Sequence, residues 1–283
     1  MKPAAFDYER PGSLAEALKL LGEPGIFSKV LAGSQSLGPM LNLRLAQPDL
    51  LIDICAIREL RSTADQRNYV DIGACVTHAD IEDGRIPDVA GGMLGFVAQR
   101  IAYRAVRNRG TVGGSLAHAD PAADWPPVMI ALGAEVDIAS ARSRRRVAAA
   151  DFATGVLATV LEPDEMIVAI RIPRAASEMR WGHYKIAAKP GDFAESLAVV
   201  VIHKNGTGAR AVLAGRSQTP LLLSETGRTI TGIRAWSSDQ HSVIAKALDS
   251  DLARQGVNAG LSPEDRAIHL ASVSRAAREA ITS

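Results

Sequence analysis

The stretch Val30-Leu31-Ala32-Gly33-Ser34-Gln35-Ser36-Leu37-Gly38-Pro39 has the composition of an anion cradle. Glycine and serine let a backbone come close to a ligand and aim several amide N–H groups at it, which is what holding a phosphate requires. A second small-residue stretch, Thr111-Val112-Gly113-Gly114-Ser115, follows later in the chain. The first is not a P-loop, because Gly38 is followed by Pro39-Met40 and not by lysine and a hydroxyl. It is not the G-x-G-x-x-G fingerprint either, since its glycines are Gly33 and Gly38. Either stretch alone reads as a turn. Together they suit an extended diphosphate, whose charge is spread beyond the reach of one short loop.

Other chemistries find little support. No serine or cysteine nucleophile pattern surrounds His118, so it reads as packing beside the second stretch, and no catalytic residue is assigned. Cys55 and Cys75 are too few for a disulfide framework and lack metal-ligand spacing. They read as core thiols in a reducing compartment, and no metal site is expected. The chain has 283 residues, 47% apolar and 22% charged, with a formal charge of +1. That balance gives no reason to expect nucleic acid or an anionic membrane as partner, and no segment approaches the roughly 18 apolar residues of a membrane span. The protein reads as cytoplasmic. Arg142, Arg144, Arg145 and Arg146 read as a solvated turn between strands.

The elements that must position the two stretches are legible from periodicity. Leu14, Ala17, Leu18 and Leu21 fall on one helical face, with Ser13 and Glu16 as a capping box and Gly22 as a stop. Short strands are expected over 29–31, leading into the first stretch, and over 50–54. Residues 59–73 read as an edge hairpin, Thr77 with Asp80 as a helix start, and 91–102 as a helix running toward the second stretch. A helix over 126–132 ends at Gly133; strands follow over 134–139, 145–148 and 167–172, and a boundary lies within 173–178. Beyond it come strands over 181–186, 197–203 and 209–213, the last two joined by Asn205-Gly206, a hairpin signal. Helices over 239–254 and 263–281 finish the chain, the second capped by Ser262 with Pro263 at its first position.

The segment Leu31-Ala32-Gly33-Ser34-Gln35-Ser36-Leu37, with Arg107-Asn108-Arg109-Gly110-Thr111-Val112-Gly113-Gly114-Ser115 and His118-Ala119-Asp120-Pro121-Ala122-Ala123-Asp124, closely resembles the FAD-binding medium subunit of the molybdenum hydroxylases, the relatives of xanthine dehydrogenase and carbon monoxide dehydrogenase. The resemblance covers nearly the whole chain. Its departures are Ser34, where the family usually has glycine, and Ser115, where it often has asparagine. It implies an α+β fold: a PCMH-type FAD-binding domain over 1–175, made of two α/β subdomains (about 1–55 and 56–175). A small α+β domain over 178–283, with an antiparallel three-stranded sheet and helices, would follow.

The same resemblance implies the site. Lys29, Val30 and Leu31 would lead into it. Ala32, Gly33, Ser34, Gln35 and Ser36, with Thr111, Val112, Gly113, Gly114 and Ser115, would give amides and hydroxyls to the FAD diphosphate. Asp124 would accept hydrogen bonds from ribityl hydroxyls, although a helix-capping role is open to it. Ile101 and Ile167 would line the adenine or flavin pocket, and Lys185, after Tyr184, would reach the flavin. Asp192 reads as closing a turn. The implied partners are a small subunit with [2Fe-2S] clusters and a large subunit with the molybdenum cofactor, in a dimer of heterotrimers. Electrons would pass from the clusters through FAD to an external acceptor. The alternative is a stand-alone FAD-dependent oxidoreductase.

Overall fold

A computed structural model describes residues 2–174, 179–203, 208–215, 218–257 and 260–283. Leu14, Ala17, Leu18 and Leu21 are buried along one side of the helix Leu14–Leu21, which starts where the Ser13 side chain accepts the Glu16 N–H and stops at Gly22. That face covers a parallel sheet in the order Asp7–Glu9, Leu50–Asp53, Ser28–Leu31. Leu50–Asp53 is buried at every position, as the central strand of a covered parallel sheet must be. The edge strand Asp7–Glu9 is exposed throughout and carries no apolar pattern that would announce it.

A second sheet is antiparallel, ordered Thr63–Asp65, Tyr69–Gly73, Met166–Pro173, Glu135–Ala139, Arg144–Ala148. Its register shifts between Ile167 and Ala169. The shift changes the parity of the central strand, so Ile167 and Ile170 share one core while Met166 and Val168 point into the core beneath the helix Leu14–Leu21. Of the arginines expected in a turn, only Arg142 lies there, paired to Asp164 at 2.9 Å; Arg144, Arg145 and Arg146 begin the exposed edge strand, Arg145 paired to Glu165 at 2.7 Å. The helix expected over 91–102 is shorter, Met93–Ala98. Tertiary contacts override its periodicity: the Ala102 N–H goes to the Gly191 carbonyl, and Arg107 donates to the carbonyls of Ile101 and Ala102. Ala102 itself takes φ +43°.

The helix Trp125–Leu132 is buried at all its positions and ends at Gly133, φ +67°. A helix apolar on every side must be packed on every side. One side meets the amino-terminal domain and the other the carboxyl-terminal sheet. That sheet has four strands and not the three expected: Met179–Ile186, Ser196–His203, Gly208–Gly215 and Gln218–Leu222, antiparallel in that order. The Asn205-Gly206 turn and residues 175–178 of the expected boundary lie outside the described residues.

The helices Ser224–Thr231, Asp239–Arg254 and Pro263–Thr282 complete this part. Asp251 fastens the first two: its buried carboxylate accepts the amides of Glu225 and Thr226 and the Thr226 hydroxyl at 2.8–2.9 Å. The strand Ser196–His203 is buried on both faces. Leu197, Val199 and Val201 belong to the core of the amino-terminal domain, and Ala198, Val200 and Ile202 to the core beneath the last helices. The strands before Arg174 and those from Met179 onward belong to different sheets, while the hydrophobic core runs across both.

Candidate functional site

The strand Ser28–Leu31 delivers the chain into a cavity of about 1050 Å³, large even beside ligand pockets of roughly 300–1,000 Å³. At its mouth the backbone turns at Ser34, φ +61°, in the left-handed region where glycine is at ease and other residues are costly. Among the described residues, the amides of Gly33, Ser34, Gln35 and Ser36 have no hydrogen-bond acceptor. Four successive unspent donors on a cavity wall leave that wall free to take an acceptor seated in the cavity. Gly33 is fixed by contact: a Cβ there would lie 2.1 Å from the Arg109 carbonyl oxygen, so the first stretch touches the chain just before the second.

The second stretch differs from the expectation. It is the start of the helix Val112–His118, and the amides of residues 112–115 are already used. Val112 and Gly113 donate to the carbonyls of Val76 and Ala74, Gly114 to the Thr111 hydroxyl, and Ser115 to the Thr111 carbonyl, all at 3.0–3.2 Å. What it brings to the cavity is a smooth wall of Gly113 and Gly114 flanked by Thr111 and Ser115. The cradle is thus one-sided: donors on the first stretch, close approach and hydroxyls on the second.

Asp124 reaches the cavity wall and is buried. It does not cap the helix that follows, since its side chain makes no cap bond. Its oxygens accept from Lys185 Nζ at 2.9 and 3.1 Å, and the same ammonium reaches the Arg100 carbonyl at 3.3 Å. Burial pushes the Asp124 carboxyl up, and Lys185 pulls it back toward ionisation. Lys185 stands behind Asp124 and is not on the wall, and neither are Leu31 and Val112. Lys29, Val30, Ala32, Gln35, Ser36, Ile101 and Ile167 are on it, with Gly33, Ser34, Thr111, Gly113, Gly114 and Ser115.

The wall also includes residues that sequence reasoning left out. His118 and Asp120 lie on it, and the quoted segment between 118 and 124 was the available signal. Asp192 closes the turn that Lys189 begins, its N–H on the Lys189 carbonyl at 3.2 Å, yet it too lines the cavity, next to the exposed Phe193. His78 had no signal beyond its place after Thr77. Cys75 is buried and half-buried Cys55 gives its S–H to the Ala32 carbonyl at 3.0 Å. Burial pushes these thiols up to about 12 and about 11, so neither is a thiolate at neutral pH.

Two buried histidines make the fold acid-sensitive. Burial lowers His78 to about 4, helped by Arg107, and His183 to about 3, helped by Lys185. With an unfolded value near 6.5, the unfolded chain binds protons first as pH falls. The stability these neutral rings confer is complete above about pH 6.5 and is lost through the window down to their folded values. At pH 5 each should cost about 2 kcal/mol. Asp124 and Glu279, both pushed up by burial, offset part of it. Urea denaturation at pH 7 and pH 5 checks this; equal midpoints at the two values would refute it.

Comparison with known proteins follows this geometry. Residues 4–175 match the family model described as the FAD binding domain in molybdopterin dehydrogenase. The carbon monoxide dehydrogenase medium chain of Hydrogenophaga pseudoflava is 41% identical over 206 residues, 73% of this chain and 72% of that protein. The caffeine dehydrogenase subunit beta of Pseudomonas sp. (strain CBB1) is 36% identical over 78% of this chain and 76% of that one. Among solved structures, a carbon monoxide dehydrogenase from Hydrogenophaga pseudoflava superposes with a TM-score of 0.89 at 35% identity, covering 100% of this chain and 99% of that one. Quinoline 2-oxidoreductase from Pseudomonas putida 86 gives 0.84 at 30% identity, with 99% and 100% covered.

The chain belongs to the FAD-binding medium subunits of the molybdenum hydroxylases. Its work is electron relay: an oxidoreductase subunit that binds FAD within such a complex. Among the described residues no helix is long and apolar enough to cross a membrane.

Proposed function

We propose that the amides of Gly33, Ser34, Gln35 and Ser36 hold the diphosphate of FAD, and this row of unspent donors is the observation that carries the assignment. Thr111 and Ser115 add hydroxyls from the facing wall, and Gly113 and Gly114 let the nucleotide come against it. Lys29, Val30 and Leu31 deliver the cradle as a strand, and Val112 anchors the opposite wall from behind. Ile101 and Ile167 pack against the adenine or flavin ring. Asp124 offers its oxygens to the ribityl hydroxyls, and Lys185 keeps that carboxylate ionised. Because the two charges are paired, they present the ring with a local dipole and little net charge. When bound, FAD supplies the capacity to accept electrons one at a time and release them singly or in pairs.

Electrons reach this subunit from [2Fe-2S] clusters on a small partner, and a large partner carries the molybdenum cofactor and oxidises the substrate. The two cysteines cannot supply the four thiolates of a cluster, which supports placing the clusters on another chain. The partners assemble as a dimer of heterotrimers in the cytoplasm, where the thiols stay reduced, and an external acceptor takes the electrons. The substrate is an N-heterocycle, a purine, an aldehyde or carbon monoxide, the classes to which the relatives' names point.

Titration of the full chain with FAD and with riboflavin, followed by flavin fluorescence, tests the cradle. Amide bonds to a charged acceptor contribute about 1.5–3 kcal/mol each, so FAD should bind at least about 100-fold tighter than riboflavin. Equal affinities would remove the diphosphate from the assignment.

A further inference from the structure

We infer that His78 is a nucleotide-binding residue: its imidazole Nε2–H donates to an oxygen of the diphosphate–ribose part of the FAD seated in the cavity. This rests on the FAD reading above and adds to it a donor outside both glycine stretches.

The imidazole is held from three sides. Thr77 and Asp80 form a reciprocal capping box at the start of the helix His78–Glu82, which fixes the backbone. The His78 N–H donates to the Gly110 carbonyl at 2.9 Å, tying the residue to the segment just before Thr111. The Trp125 indole N–H, fully buried, donates to His78 Nδ1 at 3.0 Å. A nitrogen that accepts carries its lone pair, so the single proton of the neutral ring sits on Nε2.

That proton has nowhere to go within the protein. His78 is 6% exposed, and among the described residues nothing accepts from its Nε2. The ring nonetheless lies on the cavity wall, beside Gly110 and Thr111. Gly110 keeps the imidazole open: a Cβ at that position would come within 2.7 Å of Nε2. A donor with a fixed tautomer, unpaired within the protein and open to a cavity built for a polyanion, fits an oxygen acceptor and does not fit an apolar group.

Two variants of the full chain separate this role from a purely structural one. His78→Asn keeps an acceptor for Trp125 but withdraws the donor from the Nε2 position; His78→Gln keeps a donor there and gives up the Trp125 acceptor. Fluorescence titration with FAD should show the asparagine variant weakened about tenfold or more and the glutamine variant within about threefold of the parent. A residue that only braces Trp125 predicts the reverse order. Nitrogen-15 NMR of the histidines should place the proton on Nε2 without FAD and shift it downfield when FAD is added. If the unaltered chain binds no FAD, the FAD reading and this inference fall together. If it binds FAD while the asparagine variant matches it, the reverse order appears or the Nε2 proton does not move, the His78 inference alone is overturned.

Discussion

Replacing Gly33 by alanine is expected to abolish tight FAD binding. The new Cβ would sit 2.1 Å from the Arg109 oxygen and 2.7 Å from Gly110 Cα, backbone atoms that cannot swing aside. One of the two chains must back away, and the amides of Gly33 and Ser34 move with it. Losing two amide bonds to a charged acceptor lowers affinity by about 100-fold or more, and the forced contact costs about 1–3 kcal/mol of stability. Flavin fluorescence titration and thermal melting of the variant read both effects. An alanine variant that binds FAD like the parent would show that the first stretch is not the cradle.

The second large effect is expected at Lys185. Its replacement by methionine keeps the length of the side chain but leaves Asp124 buried, 7% exposed, without its cation. Breaking a buried pair from one side costs about 3–5 kcal/mol, because the remaining charge is uncompensated. The companion change Asp124→Asn should return most of that loss, since both charges are then gone. The pH dependence follows from the sign: burial already pushes the Asp124 carboxyl up, and without Lys185 only its own backbone amide draws it back. Relative to the parent, the single variant should therefore be least impaired in acid, its deficit growing as pH rises above about 4. Denaturant titrations of the single and double variants at pH 5 and 7 decide it. A single variant as stable as the parent would show that the pair is dispensable.

Much of the fold was legible because its long elements are periodic and well punctuated. Ser13 and Gly22 bracket the first helix, Gly133 ends the buried one, and Ser262-Pro263 opens the last. What escaped was short or decided by tertiary contact. The strand Gln218–Leu222 contains Pro220, which reads against a strand, and it is accommodated at the sheet edge where a missing N–H is harmless. The helix Ser224–Thr231 is mostly polar and owes its place to the Asp251 carboxylate.

The site divides in the same way. Small residues at 32–36 and 111–115 mark a backbone that lets a ligand approach, and both stretches do line the cavity. Composition cannot say whether an amide is free, however, and those of residues 112–115 are consumed by Thr111, Val76 and Ala74. Nor does spacing show that Lys185 meets Asp124, or that Trp125 orients His78, because each pair is assembled only by folding.

The strand Ser196–His203 must satisfy two cores at once, one on each face. A chimaera spliced near residue 175, joining this amino-terminal part to a relative's carboxyl-terminal part, would set a foreign sheet face against Trp125–Leu132. The graft would need Leu197, Val199, Val201, Val212 and Ala214 carried over with the donor of that helix, even though they lie beyond the splice. For recombination, the indivisible block is thus most of the chain.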